Sequence, residues 1–230
     1  MTLNDRQSEI LEFLKQNVRA SVKELAEKFF VCEMTIRRDL SEMEKCGYLN
    51  RYSGGAAFVN TEGLLPIEAR LKLHEKEKKL ISDKVDKYLK DEMTVFIDSS
   101  STCINVIPVL TKYKNVKIVT NSVLGVLTAA KYHIPCTVSG GEHYERDMCL
   151  VGSAAQATLE EINADAAFFS SKAYSLDGII SDDDERQTAV RKTVMKNCPR
   201  NVFLFDGSKL NKKCIYTLCR ASDVTEVIII

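Results

Sequence analysis

Apolar and polar positions follow two different rhythms along the chain. Over residues 1–50 they repeat at helical spacing. Leu3, Ile10, Leu11 and Leu14 mark the inner face of a first helix. Ser21, with Glu24 three residues on, is the signature of a capping box and starts a second helix whose apolar side carries Leu25, Ala26 and Phe29. After the short connection "FVCE" comes a third, "MTIRRDLSEMEKCG", which Gly47 is placed to end. At about 100° per residue, Ile36, Leu40 and Met43 fall within about 60° of one another and form its buried stripe. Met34, Arg38 and Lys45 lie opposite, with Thr35 and Arg37 flanking that outer face.

The stretch "LNRYSGGAAFV" then predicts a hairpin, because two glycines sit between apolar and aromatic residues. Gly63, Pro66 and dense charge follow, read as a linker over 59–75 that passes into a helix. From about residue 90 the rhythm changes to short apolar runs separated by helical patterns. "TVFID", "VKIVT", "PCTVSG", "AAFFS", "VFLFD" and "VTEVIII" are the expected strands, with helices expected at 103–111, 122–132, 153–162 and 185–197. Such alternation predicts an α/β domain with a mainly parallel sheet covered by helices. The expected domains are therefore 1–58, a winged helix-turn-helix, and 76–230, an α/β domain.

Composition changes this picture little. In 230 residues, 45% are hydrophobic and 28% charged, the proportions of an ordinary globular protein. No run approaches a membrane span of about 18 apolar residues, and the first ten residues lack a signal-peptide pattern, so a cytoplasmic protein is expected. Eight cysteines are scattered without a C-x-x-C pair and three histidines do not cluster with them, so reduced thiols are expected and neither a metal site nor a cofactor is implied. Net charge is zero. A nucleic-acid reading must therefore rest on where the charges lie. Three short helices and a wing, with Thr35, Arg37 and Arg38 outward on the third helix, place them where a recognition helix meets the major groove.

At this point residues 21–56, "SVKELAEKFFVCEMTIRRDLSEMEKCGYLNRYSGGA", closely resemble the DNA-binding motif of the DeoR family of bacterial transcriptional regulators. "IDSSSTC", "VTNS", "SGG", "LVG", "ADAAFF" and "FDGSKL" continue the resemblance in the family's order. The resemblance implies a repressor of a sugar or metabolite operon. Its partners would be operator double-stranded DNA and a phosphorylated sugar effector, held in a C-terminal domain related to sugar-phosphate isomerases. It places Thr35, Arg37 and Arg38 on the recognition helix and Arg51 on the wing. Cys32 and Ser53 stand where the family usually has Ser and His, and Ser100, Ser170 and Ala173 at or near usual Gly positions. A changed effector, or lost sensing, is thus an open alternative.

The residues of the second half suit an anion on their own account. A phosphate site needs small residues, backbone N–H groups and often a cation at the carboxyl ends of strands. Asp98, Ser99, Ser100, Ser101 and Thr102 follow one expected strand, Thr120 and Asn121 the next, and Gly140 and Gly141 the third. Lys209 follows "VFLFD" and is the expected counter-charge. The acidic "SDDDER" at 181–186 reads as a solvated loop capping the following helix. An isomerase using Asp98, Asp206 or Glu185 as general base is the rival from another class. A homo-oligomer, dimer or tetramer, is expected from the habit of helix-turn-helix proteins.

Overall fold

The two rhythms fold into two units, Met1–Lys72 and Leu73–Ile230. The computed structural model describes residues 3–17, 19–45, 48–58, 67–72 and 75–230. Gly47 and most of the expected linker lie outside the described residues.

The first unit opens with α1 (Asp5–Asn17), β1 (Arg19–Ser21), α2 (Val22–Lys28) and α3 (Glu33–Lys45). The capping box is made: Ser21 Oγ accepts from the Glu24 N–H at 3.1 Å, and Glu24 accepts from the Ser21 N–H at 2.7 Å. Ile36, Leu40 and Met43 are fully buried, as are Ile10 and Leu14 of α1 and Leu25 of α2. β2 (Leu49–Tyr52) and β3 (Gly55–Phe58) form the expected hairpin, turning at Ser53 and Gly54. Gly54 takes φ +91, a conformation open to glycine. At Gly55 an added Cβ would sit 2.4 Å from Ala20 O. That close approach lets β1 join the hairpin in the order β1-β3-β2, a strand the sequence did not announce. The described part of the unit ends with α4 (Ile67–Lys72).

The second unit begins with α5 (Glu75–Lys84), followed by β4 (Thr94–Ile97), β5 (Lys117–Thr120), α6 (Val123–Lys131) and β6 (Cys136–Val138). Next come β7 (Glu142–Tyr144), β8 (Cys149–Val151), α7 (Ser153–Glu160), β9 (Ala166–Phe169), β10 (Ala173–Tyr174) and β11 (Ile179–Asp182). α8 (Glu185–Asn197), β12 (Asn201–Phe205), β13 (Tyr216–Arg220) and β14 (Glu226–Ile229) complete it. All six expected strands meet in one parallel sheet of order β14-β12-β9-β4-β5-β6.

Alternation along those strands sorts the core onto two faces. Val95, Ile97, Ile118, Phe168 and Leu204 point to one, where the 3₁₀ stretch Cys103–Lys112 covers them. Phe96, Phe169, Phe203 and Phe205 point to the other, under α7 and α8. The rings of Phe96 and Phe169 lie 5.6 Å apart, and those of Phe169 and Phe203 5.2 Å apart. From β4 the chain steps outward to β5 and β6, then returns to β9 on β4's other side and runs on to β12 and β14. The strand order therefore reverses between β4 and β9. That switch point opens a crevice at the carboxyl ends of the strands.

Candidate nucleic-acid interface and effector crevice

In the first unit, Arg37 and Arg38 are exposed on α3 and Thr35 is half-buried at its first turn. Arg37 pairs with Glu33 one turn back, at 2.9 Å. Arg38 has no ion pair among the described residues. Cys32 occupies the cap: its carbonyl accepts from Thr35 and Ile36, and its Sγ lies 3.2 Å from Thr35 Oγ1. The Thr35 hydroxyl and backbone N–H groups at this helix start hold the exposed thiol below its usual range. Arg51 lies on the wing near Glu44, 3.8 Å away. Asp39 of "TIRRDL" faces inward: its buried carboxylate takes the Arg6 guanidinium at 2.7 and 3.2 Å and clamps α3 to α1. The three helices thus present Thr35, Arg37 and Arg38 together because Asp39, Ile36 and Leu40 are spent on holding the helix.

In the second unit the hydroxyl run after β4 is buried, not solvated. Ser99, Ser100, Ser101 and Thr102 are each at most 8% exposed. Their roles divide. Ser100 Oγ accepts from the Cys103 N–H at 3.1 Å, so it caps the 3₁₀ stretch. Ser101 Oγ accepts from Lys78 Nζ at 3.1 Å. Ser99 Oγ and Thr102 Oγ1 make no hydrogen bond of standard geometry among the described residues, Ser99 facing only the weakly polar thiol of Cys149, nor does Asn121 Oδ1 after β5. Thr120 spends its hydroxyl on Ile97 O at 2.6 Å, tying β5 to β4. Gly140 and Gly141 follow β6 with φ of +67 and +111. An added Cβ at Gly141 would meet Val151 O at 2.5 Å. On the other side of the switch point, Lys209 Nζ donates to Ser170 Oγ at 2.9 Å, and Ser170 in turn donates to Leu204 O at 2.7 Å.

Asp98 does not present a bare carboxylate to this crevice. Arg191 of α8 donates to it from Nε at 2.9 Å and from Nη2 at 3.3 Å, and to Asp182 from Nη1 at 2.6 Å. All three side chains are buried. Burial, the largest influence, pushes the Asp182 carboxyl up, but the charges of Arg191 and Lys172 and the hydrogen bonds from Asp183 together outweigh it and hold the group at about 2. Gln187 accepts from Arg191 Nη2 at 3.1 Å and donates to Asp147, extending the network. The "SDDDER" loop is therefore only partly as expected. Asp184 does cap α8, accepting from the Gln187 N–H at 3.0 Å, whereas Ser181 and Asp182 lie in the interior. Lys78, Asp182 and Arg191 escaped the sequence reading, each hidden among charges that look solvated.

Among the described residues, no helix is long and apolar enough to cross a membrane.

Two family models match the chain: the DeoR-like helix-turn-helix domain over residues 6–62 and the DeoR C terminal sensor domain over 73–229. Among curated proteins, the HTH-type transcriptional regulator IolR of Bacillus subtilis is 28% identical over 92% of this chain and 85% of its own length. The glycerol-3-phosphate regulon repressor of Escherichia coli is 28% identical over 99% of this chain and 90% of its own. Among solved structures, a ribose 5-phosphate isomerase from Plasmodium falciparum matches with a TM-score of 0.42 at 21% identity, over 58% of this chain and 52% of that one. With a DeoR-like helix-turn-helix in its first unit and a DeoR sensor domain spanning its second, the chain belongs to the DeoR family of transcriptional regulators.

Proposed function

We propose that the chain is a transcriptional repressor that binds operator DNA through α3 and the wing, and that a phosphorylated sugar in the switch-point crevice modulates this binding. The observation carrying the effector half is the trio Ser99 Oγ, Thr102 Oγ1 and Asn121 Oδ1, buried without a hydrogen bond of standard geometry among the described residues. A buried polar group left unsatisfied costs about 1–3 kcal/mol, which favours a ligand that satisfies the trio. The chemistry of the trio is that of a sugar phosphate. Two hydroxyls donate to phosphate oxygens, and the Asn carbonyl accepts from a sugar hydroxyl. Lys78 and Lys209 bring positive charge to either side of the run, through Ser101 and Ser170. A relative named for the glycerol-3-phosphate regulon supports an effector that carries a phosphate.

The ligand is bound and not turned over. An isomerase needs an available general base. Asp98 is held by the Arg191 fork, the buried Asp206 accepts from the Ser208 N–H at 3.1 Å, and Glu185 is exposed on the first turn of α8. The protein acts in the cytoplasm as a homo-oligomer, dimer or tetramer, matched to paired half-sites. The test is selection of operator duplexes from random DNA, followed by titration of the complex with phosphorylated sugars. The expected result is an enriched sequence whose affinity shifts with one of them. Enrichment without any shift would leave a repressor that has lost sensing.

A further inference from the structure

Phe30 is an outlier in the first unit. It takes φ +53 and is 94% exposed. The Val31 N–H reaches back to Ala26 O at 3.1 Å, so α2 ends in a Schellman turn with Phe30 at the left-handed position. Glycine is the default there, because a Cβ is strained in that conformation. A large aromatic at this position gains no burial in return. Four residues on, Met34 is 74% exposed in the first turn of α3. It lies about 40° from Arg38 around the helix and opposite the buried Ile36. Two large apolar side chains thus stand in solvent at the leading end of the helix that carries Arg38, which has no ion pair among the described residues. Backbone strain without a packing return points to function.

We propose that Phe30 and Met34 form an apolar reading edge that packs on thymine 5-methyl groups in the major groove of the operator. This rests on the DNA-binding reading of the first unit. The occupant follows from charge and shape. Arg38 and Arg37 on the same end of α3 suit a polyanion, and the N-terminal turns of a recognition helix face base edges. The 5-methyl of thymine is the apolar feature of the major-groove edge, and it is met by apolar side chains. Arg38 would then position the helix or read guanine, while Met34 and Phe30 select thymine beside it.

The test uses the full chain and the operator it enriches from random duplexes. Each thymine is replaced in turn by deoxyuridine, which removes the methyl and keeps the hydrogen-bonding edge. At one or two positions the wild type should lose about fourfold in affinity, the equivalent of one methyl group's burial. Met34→Ala should bind the unmodified operator more weakly and show no further loss at one of those positions. Phe30→Gly should do the same at the other or at a flanking one, while remaining folded. An enriched operator that tolerates deoxyuridine everywhere overturns the reading edge and leaves DNA binding intact. So does a Met34→Ala variant that binds as tightly as wild type but loses self-association, which would assign the patch to a second copy of the chain. Failure to enrich any sequence removes the DNA-binding reading itself, and the edge with it.

Discussion

Arg191 grips Asp98 across 93 residues of sequence, through Nε at 2.9 Å and Nη2 at 3.3 Å, with both side chains out of solvent. The fork ties the loop after β4 to α8, and the third guanidinium nitrogen ties both to Asp182. The crevice is thereby shaped by a buried charge network and not by hydrogen-bonded turns alone. Arg191→Met should leave two buried carboxylates uncompensated and cost on the order of 3–5 kcal/mol. Chemical denaturation of the variant measures it.

Asp182 gives that network a pH signature. Its carboxyl sits at about 2 in the folded chain, below the ordinary value of about 4. A group whose pKa is depressed on folding contributes stability above its unfolded value and loses it as the pH falls through the folded one. Stability should therefore decline between about pH 4 and pH 2, by on the order of 2 kcal/mol from this residue. Asp182→Asn should flatten that part of the profile, as read by urea midpoints across the range.

Arg38 has no ion pair among the described residues, whereas Arg37 is drawn to Glu33. Arg38→Ala should cost operator affinity about 1–3 kcal/mol if its fork meets a guanine, and should relax specificity at that position. Binding should weaken steeply with added salt for wild type and variant alike, since phosphate contacts supply that dependence. Electrophoretic or fluorescence titration at several salt concentrations separates the two effects.

Phe30 carries strain that folding does not repay. Phe30→Gly should stabilise the first unit by roughly 1 kcal/mol through relief of the left-handed conformation. Thermal unfolding would read the gain. A stabilised variant that binds the operator less well would be the mark of a residue kept for function.

Among the cysteines of the described residues, Cys32 should be the thiol that alkylates first. It is exposed, and the Thr35 hydroxyl and N–H groups at the helix start favour its thiolate, whereas burial pushes up the thiols of Cys149 and Cys219. Iodoacetamide labelling with peptide mapping checks the order. Because Sγ touches Thr35, labelling should also weaken DNA binding.

The large features were legible because they are written in apolar pattern. The six sheet strands are runs such as "VFLF" that cannot be solvated, and the α3 stripe of Ile36, Leu40 and Met43 follows from helical spacing alone. What escaped depends on distant partners. β7, with the sequence "EHY", and β10, of two residues, have no hydrophobic rhythm and exist because neighbouring strands complete them. Lys78 sits in a charged stretch that looks fully solvated, yet Ser101 receives its ammonium in the interior. Arg191 and Asp182 look like any surface charges until the fold brings them to Asp98. The hydroxyl run Ser99–Thr102 is visible in the sequence. The division of labour within it, with Ser100 capping and Ser99 and Thr102 without hydrogen bonds of standard geometry among the described residues, arises only in the folded chain.

The central claim is an anionic effector in the crevice beside Ser99, Thr102 and Asn121. Thermal unfolding of the full chain against a panel of phosphorylated sugars tests it most directly. At 100 times its dissociation constant the right ligand should add about 2.7 kcal/mol, a rise of roughly 5–10 °C for a chain this size. The unphosphorylated sugar should add little, and Lys209→Ala should abolish most of the shift while the unliganded variant stays folded. A panel that moves neither the wild type nor Lys209→Ala, or a shift that survives loss of the phosphate, would contradict the account.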